Sequence, residues 1–146
     1  MKIVLDEGAM MPTRGHAADA GLDLYAREDF TVPGCSAPGM GFASVGCAVH
    51  DTGVRVQIPE GYVGFLKSKS GLNVRNGITC EGVIDSGYVG KIVAKLYNHS
   101  DSAYHFRKGD KIVQLVLLPI ITPELELVDS LEDTERGEGG FGSTGR

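Results

Sequence analysis

The sequence predicts an all-β domain, a jelly-roll-like β-sandwich or barrel with at most one short helix. Three observations carry this expectation. Short apolar or alternating segments recur along the chain, each closed by Gly, Pro, Asn or Asp, which is the pattern of strands punctuated by turns. No 3.6-residue period persists over three turns, so long amphipathic helices are not expected. The 21 glycines are about twice the ordinary share, which suits tight turns and close backbone approach.

In chain order, Ala20–Ala26 reads as a strand carrying one aspartate, Asp23. Residues 33–53, rich in Gly, Ala, Ser and Cys, are expected as a long loop or a loosely patterned hairpin. Val54–Ile58 alternates cleanly, and Pro59-Glu60-Gly61 turns the chain. Ser70–Asn76 can form one short helical turn that Gly77 ends. Lys91–Leu96 is apolar at Ile92, Val93, Ala94 and Leu96, and Asn98-His99-Ser100-Asp101 closes it. Ile112–Ile121 is a longer β-branched and leucine run. Leu125 and Leu127 then alternate with glutamate in a further strand-like segment. Residues 1–128 are expected to form the β domain. Residues 129–146, first acidic and then Gly-rich, form an arm that cannot bury enough apolar surface to fix itself and should be mobile when alone.

At 146 residues the chain fits one domain with a single core. A net charge of −5 argues against non-specific nucleic-acid binding, which needs a broad basic surface. Local cations can still receive a small anion. No apolar run approaches membrane-spanning length. Cys35, Cys47 and Cys80 are odd in number and widely spaced, so free thiols in a reducing compartment are expected rather than a disulfide framework or a zinc site. The opening Met1–Glu7 turns acidic too soon for a signal peptide, and the expected location is cytoplasmic.

Five stretches are chemically loaded. Ala20-Gly21-Leu22-Asp23-Leu24-Tyr25-Ala26 carries a single carboxylate, which alone could serve a structural turn. Lys67-Ser68-Lys69-Ser70-Gly71-Leu72 offers cations, hydroxyls and backbone N–H groups to phosphate oxygens. It lacks Walker A spacing, and alone it could be a solvated basic turn. Gly82-Val83-Ile84-Asp85-Ser86-Gly87-Tyr88-Val89-Gly90 places an aspartate at a strand end, where it could reach a water or simply cap a turn. In Arg107–Leu115, Gln114 is a polar amide inside an apolar run and must find a partner once buried. The tail Arg136–Gly145 combines glycines, an arginine, hydroxyls and Phe141, which can wrap an anion and stack on a base, although a Gly-rich terminus can also be a plain linker.

Together and in this order, the five stretches resemble the motifs of the homotrimeric deoxyuridine triphosphatases (dUTPases), from about Asp19 to Gly145. GVID-x-x-Y-x-G and RG-x-GGFGSTG are the most specific. The resemblance implies a β-rich homotrimer hydrolysing dUTP to dUMP and pyrophosphate with Mg²⁺, at sites assembled between subunits. Such an activity limits uracil incorporation into DNA and supplies dUMP for dTMP synthesis. By the same resemblance, Asp85 activates the water that attacks the α-phosphate, and Tyr88 lies under the deoxyribose and excludes a 2′-hydroxyl. A hairpin from Gly77 to Gly82, with Ile84 beyond it, would read uracil through its backbone. Asp23 would organise water around Mg²⁺ without direct ligation. Lys69, Ser70, Gly71 and Gln114 would contact phosphates. Arg136, Gly140, Gly142, Ser143 and Thr144 would close over the triphosphate while Phe141 stacks on the base.

The sequence departs from the family pattern in three places. Ser68-Lys69 stands where Pro-Arg is common, which loses a bidentate fork but keeps the charge. Gly87 stands where aspartate is frequent. The stretch Cys35–Gly53 is longer than usual and reads as a surface loop. A dCTP deaminase shares the fold, but its RSS-type phosphate motif is missing and the dUTPase tail is present. A trimer that regulates a protein partner, with the 35–53 stretch as a contact surface, and a purely structural β trimer are the readings of a different class.

Overall fold

The computed structural model describes residues 1–35 and 44–140. Among these residues the elements are β1 (Lys2–Leu5), β2 (Gly21–Tyr25), β3 (Phe30–Val32), β4 (Gly46–Gln57), β5 (Tyr62–Ser68), α1 (Ser70–Asn76), β6 (Ile78–Ile84), β7 (Lys91–Asn98), β8 (Tyr104–Phe106) and β9 (Lys111–Pro119). Seven strands pair in the order β1-β4-β7-β6-β5-β9-β2, and β3 pairs with β8 in a separate ribbon. All pairings are antiparallel. This is the all-β architecture with one short helix that the sequence predicts.

Strand β6 turns the corner between two half-sheets. Ile78–Cys80 pairs with β7, whereas Glu81–Ile84 pairs with β5. The sheet curls until its two ends approach each other. Ile3 of β1 and Val56 of β4 share an apolar cavity of about 230 Å³ with Leu22 of β2 and Leu115 of β9. Inward positions follow the two-residue period of a half-buried strand: in β7 these are Ile92, Ala94, Leu96 and Asn98, all fully buried. Asn98 is accommodated because its amide donates to Ser102 O at 2.9 Å and its Oδ1 accepts from Ser100 N at 2.9 Å, so no polar atom is stranded.

Helix α1 ends as expected, with Gly77 at φ 66° donating its N–H to Asn73 O, a left-handed position that glycine occupies without strain. Two expectations are corrected. Residues 46–53 belong to β4 and pair with β7 from Gly46 to Asp51; the small residues that suggested a loop permit this packing, since a Cβ at Gly46 would overlap Pro33 O. The Leu125–Leu127 segment forms no strand and exposes both leucines almost completely, because among the described residues no strand pairs with it.

Strand β4 also carries a bulge. Asp51 faces Val93, and the register resumes only at Arg55 opposite Lys91. Thr52 stitches the irregularity from inside, donating to Ile92 O at 2.7 Å and accepting from Val54 N. Gly53 takes φ 67° and donates to Asp51 Oδ1 at 2.8 Å.

Candidate active site

Strand pairing brings the first, second and fourth loaded stretches together. Asp23 in β2 faces Gln114 in β9, and Gln114 in turn faces Lys67 in β5, two residues before Lys69. Their side chains meet in a pocket of about 450 Å³ lined by His16, Asp19, Asp23, Lys69, Lys111 and Gln114 among others. Asp23, only 7% exposed in its side chain, lies between two ammonium groups: Lys69 Nζ at Oδ1 and Lys111 Nζ at Oδ2, the latter at 2.8 Å. Burial works against the Asp23 charge, but the bonds from Lys111 and Lys69 outweigh it and hold the carboxyl below its usual range. Lys111, bonded to the same carboxylate, is raised.

Gln114 finds its partner within the chain. Its Nε2 donates to Ser68 O at 3.1 Å. Its carboxamide lies over Gly21, where any Cβ would overlap Oε1. The glycine of the first stretch thus leaves the space that the glutamine of the fourth occupies. Ser70 and Gly71 begin α1 immediately beside Lys69, with Ser70 exposed.

The third stretch lies elsewhere. Ile84, buried at the end of β6, pairs with Gly64, and Gly82 pairs with Leu66. Residues 78–84 are continuous strand, so the expected Gly77–Gly82 hairpin is corrected: the reversal falls at 85–90, between β6 and β7, because the first half of β6 is held by β7. Gly64 and Lys69 are five positions apart in sequence, which puts Asp85 roughly 17 Å from the pocket at strand rise. One chain therefore does not unite Asp85 with Asp23, Lys69 and Gln114.

In the 85–90 turn, Asp85 is exposed and its carbonyl accepts from Tyr88 N at 3.0 Å. Tyr88 is 44% exposed, folds over Gly90, where a Cβ would overlap its hydroxyl, and donates that hydroxyl to Lys91 O at 2.8 Å. Behind the turn lies an ion cluster. Lys91 Nζ bonds Asp6 Oδ2 at 2.9 Å and Asp51 Oδ2 at 3.0 Å, and Arg55 approaches Asp6 at 3.3 Å. The Lys91 bond holds Asp6 below the usual carboxylate range, and the bonds from Asp6 and Asp51 raise Lys91.

Arg136 bonds locally, Nε donating to Gly139 O at 2.9 Å, and Gly140 is exposed; neither lines the pocket. Phe141, Gly142, Ser143 and Thr144 lie outside the described residues. Lys111, His16 and Asp19 line the pocket without having been singled out in the sequence. For Lys111 a signal existed, since it opens the β9 strand that carries Gln114. For His16 and Asp19 there was none, because their place depends on Arg14, which donates to Asp19 O and Ala20 O and folds that turn over the pocket.

A model of the dUTPase family matches residues 7–145. The chain belongs to that family. The deoxyuridine 5'-triphosphate nucleotidohydrolase of Yarrowia lipolytica is 44% identical over 144 residues, covering 97% of this chain and 85% of its own. Among solved structures, the Staphylococcus bacteriophage 80alpha dUTPase with dUPNHPP superposes with a TM-score of 0.87 at 34% identity, covering 99% of this chain and 98% of that one. A mutant dUTPase of S. aureus phage phi11, whose structure shows the coordination of a structural Mg(II) ion, matches with a TM-score of 0.76 at 31% identity, covering 90% and 98%. For a family member, the paired Asp23 pocket and the distant Asp85–Tyr88 turn are the two parts to be explained.

Proposed function

We propose that the chain hydrolyses dUTP to dUMP and pyrophosphate, in the cytoplasm and as a homotrimer. In that role it would keep uracil out of DNA and supply dUMP for dTMP synthesis. The observation that carries the reading is the convergence of Asp23, Lys69 and Gln114 on one pocket, with Asp85 and Tyr88 presented separately on a short turn. A site split in this way is complete only if copies share it. The near-complete exposure of Ile121, Leu125, Leu127 and Leu131 supports assembly as well, since a lone chain leaves this apolar segment uncovered.

In the mechanism, Asp85 of one copy holds a water in line with the α-phosphorus and takes its proton as the new P–O bond forms. The bond to the β-phosphate oxygen breaks and pyrophosphate leaves. Tyr88 supports the deoxyribose from below and leaves no space for a 2′-hydroxyl. Lys69, Ser70, Gly71 and Gln114 of another copy bind the phosphates. The arm, residues 129–146, closes over them with Arg136, Gly140, Phe141, Gly142, Ser143 and Thr144, and excludes water.

Among the described residues no cluster of three or more His, Cys, Asp and Glu converges on one point. The fit to Mg²⁺ rests instead on Asp23, a buried carboxylate kept ionised by two lysines, each oxygen retaining a lone pair. Such a group suits hydrogen bonds from metal-bound water rather than chelation. When bound, Mg²⁺ supplies charge neutralisation of the triphosphate. Pyrophosphate release measured in parallel with dUTP, dCTP, dTTP and UTP tests the proposal: turnover of dUTP alone is expected, and preference for dCTP or no turnover at all overturns it.

A further inference from the structure

We propose that Lys91 is a positioning residue for sugar selectivity, its ammonium locked between Asp6 and Asp51 so that its carbonyl holds the Tyr88 hydroxyl. The inference rests on Tyr88 acting as the sugar gate. A tyrosine nearly half exposed on a six-residue reversal excludes a 2′-hydroxyl only if its ring cannot move aside. Two contacts within the chain fix it: the face of Gly90 beneath the ring and the 2.8 Å bond from its hydroxyl to Lys91 O. The bond is made to the backbone of Lys91, the first residue of β7, and the ring rests on the residue before it, where strand ends ordinarily fray.

That backbone is unusually well tied. Lys91 faces Arg55 just beyond the β4 bulge, and its ammonium bridges two carboxylates from different elements. Asp51 is set by the bulge itself, its other oxygen accepting from Gly53 N at 2.8 Å. Asp6, just after β1, donates its own N–H to Gly53 O at 2.8 Å. Arg27 stands within 4.0 Å of both carboxylates, and its Nε donates to Glu7 O. The cluster therefore joins β1, β4 and β7 at the point where the turn re-enters the sheet. None of these charged groups lines the phosphate pocket, so their role is separable from phosphate binding.

The test compares kcat/KM for dUTP and for UTP in five variants of the full chain, with thermal melts as a control for folding. Lys91→Met removes the ammonium and keeps the alkyl stem. Asp51→Asn is milder, keeping an acceptor for Gly53 while removing a charge. Tyr88→Phe removes only the hydroxyl, Lys91→Arg retains the charge, and Tyr88→Ala removes the gate. One hydrogen bond of ordinary net strength corresponds to about 2- to 10-fold in a rate constant ratio. Lys91→Met and Tyr88→Phe should each narrow the dUTP-to-UTP ratio by about that factor, through KM for dUTP and faster UTP turnover, with Asp51→Asn smaller in the same direction. Lys91→Arg should restore most of the ratio. If Lys91→Met does not fold, Asp51→Asn and Tyr88→Phe decide. A narrowed ratio in Tyr88→Phe alone keeps the hydroxyl but overturns the ion cluster as its anchor. A narrowed ratio in Tyr88→Ala alone overturns the whole anchoring and leaves Tyr88 as the gate. An unchanged ratio in Tyr88→Ala defeats the gate reading itself.

Discussion

Asp85 and His50 show how differently two titratable side chains are treated by one sheet. Asp85 is exposed on its turn, free to meet a water, and Asp85→Asn should lower kcat by about 10²- to 10⁴-fold, as loss of a general base does, with little change in nucleotide binding. Retained kcat in the pure variant would assign water activation to another group. His50 is buried in β4, stacked on Phe30 with ring centroids 4.2 Å apart, and its Nε2 accepts from Arg27 N at 2.9 Å. That bond requires the neutral ring. Burial, only partly opposed by Glu28 and Asp51, pushes the imidazole below its ordinary value of 6.5. The folded state then binds fewer protons than the unfolded chain, so this stabilisation is complete above about pH 6.5 and is lost as pH falls towards the depressed folded value. Asp6, Asp23 and Asp51, also depressed, lose theirs only below the ordinary carboxylate value of 3.8. Melting temperature should therefore begin to fall below about pH 6.5, before the carboxylates protonate, and His50→Gln, which keeps an acceptor, should flatten that decline. An unaltered slope would remove His50 as its source.

Among the elements, those with an internal signature were legible in the sequence. The alternation of Val54–Ile58, the apolar runs that became β7 and β9, and the Gly77 stop of α1 all depend on neighbours along the chain. The N-terminal half of β4 was not legible, because Gly46 sits against Pro33 and the segment pairs with β7, partners that no local pattern reveals. The pairing of Asp23 with both Lys69 and Lys111 was hidden for the same reason: it needs β2, β5 and β9 side by side. Leu125 and Leu127 gave a strand-like alternation without an edge to join. The arm that follows them can be tested as a unit. Deleting residues 137–146 should leave a folded protein that binds dUMP nearly as before but turns over dUTP about 10²-fold or more slowly, since misplacement of the reacting groups costs at least that much. A truncated enzyme with full kcat would refute closure by the arm.

At the scale of the whole molecule, the separation of Asp85 from the Asp23–Lys69–Gln114 pocket makes a quantitative claim about assembly. Asp85→Asn and Lys69→Met, each inactive alone, should regain activity when unfolded together and refolded as mixed trimers. Random association leaves about a quarter of the sites with both native groups, if each site draws them from two copies. No recovery would mean that a single chain supplies the complete site, and light scattering that finds an active monomer would mean the same. The register of β2 against β9 also sets a timetable. Asp23 meets Lys111 and Gln114 only after about ninety further residues have been made, whereas β5 and β6 can pair within one short connection. Contacts of such long range close late. During synthesis the Asp23–Lys69–Gln114 pocket is thus a late part of the domain to exist, and a nascent chain halted before β9 leaves β2 and β5 with open edges ready to join other chains. Quality control of this protein on the ribosome is, in effect, control over the arrival of one strand.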